Sequence, residues 1–341
     1  MSCSNDQVID DPRPAGGNDS DMISFMVADD YTRGGSFGNR PGSSTRGAAV
    51  TTRDNIYNNT FAVFGDMTSL DSSYDVKNLV IFNGDEVKHD GTQWAYSNPR
   101  YWFTNYEYSF VALYPKTFTG LAADLSYENN RLAFSYTLPS DYTQATDILI
   151  AGHRRKAATS NVDKKVELGF GHIMSRLNFV AKVEYTGQNS GIEIKSITIK
   201  GIASKGTYTA LPATISTGYS ETSDFAEAAW TISTSEKIAY TKDTSKIPEV
   251  DKSFSLFPST DPLFVIPQEV TGDLVVEITY SVNGKDEDPI EGYLDSALIT
   301  EWIPGRAYTY SFTIKDNESI IFDAPTVQEW TDYEGGQYII E

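Results

Sequence analysis

LVVEITYSVNG, residues 274–284, decides how the rest of the chain is read. Leu274, Val276, Ile278, Tyr280 and Val282 alternate with Val275, Glu277, Thr279 and Ser281. That two-residue period belongs to an antiparallel strand with one buried face. Asn283-Gly284 comes next, and this pair favours the backbone of a two-residue hairpin turn. A strand closed by a hairpin is the unit from which the remaining sequence is built.

The same period recurs along the chain. NRLAFSYTL (130–138) puts Leu132, Phe134, Tyr136 and Leu138 on one face; NFVAKVEY (178–185) does so with Phe179, Ala181, Val183 and Tyr185. RAYTYSFTI (306–314) adds Tyr308, Tyr310, Phe312 and Ile314. In IEIKSITIK (192–200) the apolar phase shifts between Ile194 and Ile197, as one inserted residue of a β-bulge would shift it. TFAVFG, KNLVIFN, EYSFVALYP and DILIAG are further strand signals between residues 60 and 152. Only SDFAEAAW (223–230) has a helical look, and it is too short to organise a fold. With 21 Tyr, 17 Phe and recurrent Gly, Asn and Asp turns, the chain reads as all-β. Residues 152–165, GHRRKAATSNVDKK, are basic, small and polar, the composition of a linker. The simplest architecture is two tandem β-sandwiches, with a tether over 1–21, a first domain over 22–160 and a second over 161–341.

Composition excludes several functions. The formal charge of −20 repels phosphate backbones, so nucleic acid is not an expected partner. A sole cysteine, Cys3, makes no internal disulfide. No stretch approaches the roughly 18 apolar residues of a membrane helix, nor is there a signal-peptide apolar region. If Cys3 once followed such a region, the chain begins after it.

Catalytic and metal chemistry finds little to use. His89, His153 and His172 are the whole histidine complement and each stands alone, so no nucleophile sits beside a base and no enzyme is expected. GFGHIM (169–174) lacks the spacing of a phosphate loop. KDEDPIEGYLD (285–295) concentrates Asp286, Glu287, Asp288, Glu291 and Asp295; these oxygens could hold Ca²⁺, but the spacing of an EF-hand is absent and a solvated hairpin tip accounts for them. No cofactor is implied.

The N-terminal region is more informative. Residues 1–21 are acidic and contain Pro12, Pro14, Gly16 and Gly17, as a flexible tether does. MISFMVADD (22–30) then alternates Ile23, Phe25 and Val27 with Ser24, Met26 and Ala28, a strand apolar enough to be buried. TRGGSFGNRPGSSTRG (32–47) is a Gly/Ser-rich loop. Arg13, Arg33, Arg40, Arg46 and Arg53 all precede the first lysine, Lys77. Scattered arginines suit a solvated surface, and arginine in such a loop also suits an Arg-specific protease. Arg154-Arg155-Lys156 is a rival target, shielded if the linker is ordered.

Taken in order, SCSND (2–6), TRGAAVT (45–51), TFAVFG, DILIAG, FGHIMSRLNF (170–179), FVIPQ (264–268), WIPGRAYTYSFTIKDNESIIF (302–322) and VQEW (327–330) span almost the whole length. In that order and spacing the chain resembles the fimbrillin family of Bacteroidales, the Mfa-like and FimA-like type V pilus subunits and their surface-lipoprotein relatives. The resemblance implies transthyretin-like, Greek-key sandwiches and a route of assembly. A precursor is exported as a lipoprotein on the cysteine that matches Cys3 and is held at the outer membrane. An Arg-specific protease cuts at the position that matches Arg46, with Arg53 and Arg33 as alternatives. The cut releases the strand of Ile23, Phe25 and Val27, and a segment of another pilus subunit fills the groove. Stalk subunits of the family carry a C-terminal donor; here only TDYEGGQYIIE follows Trp330, with Tyr338 and Ile340 alternating. The rival expectation is an adhesin, monomeric or at a pilus tip, that binds a host glycan or protein.

Overall fold

The computed structural model describes residues 22–28, 53–73, 76–157, 165–183, 191–246, 252–294, 298–314, 321–323 and 325–329. Those residues are almost entirely β. The longer strands and those framing the site are β1 (Ser24–Val27), β2 (Thr60–Ser69), β3 (Leu79–His89), β4 (Trp94–Tyr96), β5 (Tyr106–Tyr114), β6 (Ser126–Glu128), β7 (Arg131–Thr137), β8 (Leu149–Ala157) and β9 (Lys165–Leu168). They continue as β10 (Ser175–Val183), β11 (Ile192–Ala203), β12 (Lys205–Pro212), β13 (Phe225–Ile232), β14 (Lys237–Lys246), β15 (Val275–Val282) and β16 (Arg306–Ile314). A single turn and a half of helix, α1 (Arg53–Asn58), precedes β2.

A seven-stranded sheet runs Gly171–His172, β8, β5, β2, β3, β4, with Glu221–Thr222 also paired to β8. Both of its faces are covered, which is why EYSFVALYP is apolar on both phases. Phe61, Val63, Phe110, Ala112, Leu149 and Ala151 enter one core together with β1 and β9. Ala62, Phe64, Val111, Leu113 and Ile150 enter the other, under the four-stranded sheet β13-β12-β7-β6. That larger core continues into a six-stranded sheet centred on β10 and β16 and a five-stranded sheet centred on β11 and β15.

The alternation read from the sequence is present at atomic detail. Leu274, Val276, Ile278 and Tyr280 are buried, and Val282 packs partly buried at the rim. Val282 pairs with Lys285 across Asn283 and Gly284, whose φ of 52° and 81° are the left-handed values a type I′ turn requires. The bulge lies between Ile194 and Ser196, where both neighbours of β11 shift register. Leu132, Phe134 and Tyr136 are buried, as are Tyr308, Tyr310, Phe312 and Ile314. Tyr185 lies outside the described residues.

Two readings are corrected. SDFAEAAW is not helical: Phe225–Ile232 is strand β13, paired with β12 along its length. Its alanines have helix propensity, but hydrogen bonding to a neighbouring strand and the packing of Phe225 and Trp230 override it. Nor are residues 152–157 a linker; they are the buried second half of β8. Gly152 gives the Phe225 ring its place, since a Cβ there would lie 2.7 Å from it. Arg154 Nε meets Glu107 at 2.8 Å and Arg155 Nε meets Glu221 at 2.8 Å, so both charges are neutralised where they are buried. The Arg154-Arg155-Lys156 target is therefore shielded by a sheet, and residues 158–164 lie outside the described residues.

Strand pairing crosses residue 160 repeatedly: β1 with β9, β7 with β12, and β8 with Gly171–His172 and Glu221–Thr222.

Candidate strand-binding groove

The residues singled out ahead of the arginine-rich loop form a buried segment. Ile23, Phe25 and Val27 are 0%, 2% and 2% exposed, whereas Met26 between them is 37% exposed. β1 runs parallel to β9, with Ser24 opposite Lys165, Phe25 opposite Val166 and Val27 opposite Leu168. Val166 and Leu168 are fully buried beside it. Ala28 N–H extends the pairing by donating to Leu168 O at 3.1 Å. Just before β1, on the side away from β9, Met22 forms an isolated bridge with Tyr101. There Ile23 N–H donates to Arg100 O at 2.8 Å, and the Tyr96 hydroxyl donates to Ile23 O at 2.6 Å.

The floor of the groove is aromatic. The Phe25 ring meets Phe82 of β3, Tyr96 of β4 and Phe110 of β5 at 5.5, 5.6 and 5.9 Å, each edge to face, the arrangement their quadrupoles favour. Gly65 on β2 leaves room for Phe110: a Cβ at that position would lie 2.8 Å from the ring. Arg100 fixes the wall by donating through Nε to Ile81 O at 2.9 Å and through Nη2 to Asp85 at 3.1 Å, its guanidinium 5.0 Å above the Phe82 ring.

β9 is tied to the central sheet by side chains of β8. Arg155 Nη1 donates to Lys165 O at 3.3 Å while its Nε holds Glu221. His153 is buried next to it, and burial first, the Arg155 charge second, hold its imidazole down at about 4. Its place in the core is structural. His172 Nδ1 meets the Asp147 carboxylate at 2.8 Å in another buried pair. His89 lies between Tyr57 and Trp94, 4.6 and 5.2 Å away, and accepts from Gly91 N–H.

Around the acidic hairpin tip, Asp286 pairs with Lys195, Glu287 with Lys285, and Glu291 with Lys200, which also holds Glu277. Among the described residues no three His, Cys, Asp or Glu side chains gather as a metal site would need. Asp295 lies outside the described residues.

Cys3, Arg33, Arg46, Tyr338 and Ile340 also lie outside them. Arg53 is the first residue of α1. The structure thus brings Ile23, Phe25 and Val27 together and adds partners that the sequence reading had not identified. Tyr96, Arg100 and Asp85 carry no sequence signal for this role. Val166 and Leu168 do, because they alternate with Lys165 and Glu167 just past the stretch, 152–165, whose polar composition suggested a linker.

A family model described as fimbrillin-like (Mfa-like) matches residues 47–330. A fimbrial protein from Bacteroides vulgatus superposes with a TM-score of 0.60 at 17% identity, over 91% of this chain and 99% of that one. A Bacteroides eggerthii protein classed as a candidate cell adhesion protein does so with a TM-score of 0.51 at 15% identity, over 91% and 95%. At these identities the two structures show a shared fold. No curated protein matches the chain.

Proposed function

The chain belongs to the fimbrillin-like family, and from that premise we propose that it is a structural subunit of a bacterial surface pilus, assembled when proteolysis frees β1 and another subunit's strand replaces it. The observation that carries this reading is that buried segment, which plugs the groove. Three side chains at 2% exposure or less, Ile23 just before β1 and Phe25 and Val27 on it, are buried side by side, with the arginine-bearing residues 32–53 behind them in sequence.

The energetics favour refilling. Exposing Ile23, Phe25 and Val27 costs about 1.5–3 kcal/mol each, about 5–9 in total, before the void is counted. That is comparable with the whole stability of an ordinary domain. A subunit that has lost β1 lowers its free energy by taking an extended segment in its place, with main-chain bonds to β9 and apolar side chains into the groove. Where a subunit's donor segment and its groove lie on different parts of the chain, such a contact is heterologous and extends head to tail into a filament.

Arg46 is the proposed processing site, in the Gly/Ser-rich stretch 32–47 that follows β1 in sequence. Arg33 and Arg53 are alternatives, although a cut at Arg53 would require α1 to unwind. Cys3 is the proposed lipid attachment, upstream of the cut, so that cleavage parts the outer-membrane anchor from the assembling body. The role at the cell surface is adhesive and structural, without catalysis or cofactor, and its further partners are the Arg-specific protease and a host glycan or protein.

Digestion of the full chain with an Arg-specific protease, followed by N-terminal sequencing and an unboiled denaturing gel, tests the proposal. A fragment beginning at Gly47 and a ladder of stable oligomers are expected. Clean cutting that leaves monomers would favour a monomeric adhesin, and cutting confined to Arg154 or Arg155 would overturn the assigned site.

A further inference from the structure

The four-stranded sheet ends in two edges of different character. β6 is three residues long and carries the exposed Glu128, and short, charged edges resist pairing with another chain. β14, a free edge of the five-stranded sheet, carries Lys237, Lys242 and Asp243. β13 has neither protection. It is eight residues long, FAEAAWTI, and β12 is its one neighbour in the sheet. Just past its end Ser233 N–H donates at 2.9 Å to Lys205 O, directly opposite, which fixes the phase of the ladder. Odd-numbered residues of β13 bond to β12, so the N–H and C=O of Ala228, Trp230 and Ile232 point the other way. Among the described residues no main-chain group meets them there. The side chains leave this edge open as well. Ala226, Ala229 and Thr231 are exposed and uncharged. Glu227, the one charge on the strand, is held within its own sheet by Arg131 at 2.5 Å and the Thr209 hydroxyl at 2.7 Å. On a chain of formal charge −20, β13 is a neutral length of open sheet.

We propose that β13 is a self-association edge: a second copy of this chain adds its own β13 antiparallel, and the two four-stranded sheets join across a two-fold axis at Ala229. In that register the strand is complementary to itself. The outward main-chain groups of Ala228 meet those of the partner's Trp230, and the reverse, with about two bonds in each pair. On the inner face, where Trp230 packs 5.1 Å from Tyr208, each indole then lies beside an alanine, large against small. On the outer face Ala229 meets its own copy, and Glu227 meets a threonine hydroxyl. An axis moved to Trp230 would instead set two indoles against each other. One sequence thus supplies both halves of every pair, and no unpaired charge is carried into the contact, which favours a second copy over a foreign strand. The contact is small: eight residues a side, against about 20–30 in a standard interface, make a weak dimer. Being two-fold, it closes on itself and is independent of the head-to-tail exchange proposed above.

Sedimentation velocity of the full chain from about 10 μM to about 1 mM tests this, and monomer should give way to dimer across that range. Ala229→Lys and Ala229→Glu alter an exposed side chain and should leave the near-ultraviolet circular dichroism unchanged. Each should weaken the dimer about fivefold, because like charges then meet at the axis. An equimolar mixture of the two variants should associate at least as tightly as the native chain. General repulsion between copies predicts a different result for the lysine variant, which lowers the net negative charge and would then associate more tightly. A native chain that stays monomeric at about 1 mM overturns the proposal. So does a dimer indifferent to both substitutions, which would use another surface, and so does a mixture no tighter than either variant alone, which would remove Ala229 from the axis.

Discussion

Phe25 concentrates the energetics of the plug in one side chain. Phe25→Ala removes a buried ring from among three others and is expected to cost about 3–5 kcal/mol in urea unfolding, whereas Met26→Ala, one residue on but partly exposed, should cost less than about 1. Two buried titratable groups set opposing pH dependences. Burial pushes the Asp66 carboxyl up to about 7, against the Tyr127 hydroxyl at 3.2 Å and the charge of Arg154. From about pH 4 to 7 the folded chain keeps a proton there that the unfolded chain has lost, so Asp66 lowers stability as pH rises through that window. His153, held at about 4, does the reverse: the unfolded imidazole is protonated below about 6.5 and the folded one is not, so stability grows from pH 4 to 6.5. The slopes offset one another in the native chain. Asp66→Asn should therefore leave stability rising across pH 4–6.5 by up to about 1.4 kcal/mol per unit relative to wild type, and His153→Gln should leave it falling, by denaturant titration at each pH.

Strands are the scale at which most of the sequence was legible. Where one face is buried and the other wet, as in β15 and β16, alternation alone names the core residues. The hairpin after β15 was equally plain, and Gly284→Ala should cost about 1 kcal/mol, lowering the urea midpoint with an unchanged slope, because its φ of 81° penalises any Cβ. β8 was not legible beyond Gly152. GHRRKA has a linker's composition, and what makes it a strand is distant in sequence: Glu107, Glu221 and the Phe225 ring. Periodicity carries no information about such partners. Removing one should show their weight: Arg154→Met leaves Glu107 and the neighbouring Asn130 facing an apolar side chain and should destabilise by about 3–5 kcal/mol in the same unfolding assay. The groove was half legible for the same reason. The strand that fills it alternates visibly, but the residues that grip it converge from β3, β4, β5 and β9.

Across the whole molecule the halves on either side of residue 160 share hydrogen bonds as well as contacts. β7 lies between β6 and β12, so the four-stranded sheet takes two strands from each half. A division into two sandwiches near residue 160 implies fragments 22–160 and 161–341 that fold alone. The pairings across it predict a single calorimetric transition for the intact chain and, for each fragment in isolation, loss of near-ultraviolet circular dichroism. The parallel pairing of β10 with β16 has a further consequence, for synthesis. Leu177 sits opposite Tyr308 and Ala181 opposite Phe312, so the middle of the six-stranded sheet joins residues separated by most of the second half of the chain. Such long-range closure makes folding slow. Until the ribosome has made residues 306–314, β10 lacks this parallel neighbour, so the six-stranded sheet cannot close before nearly all of the second half has been translated.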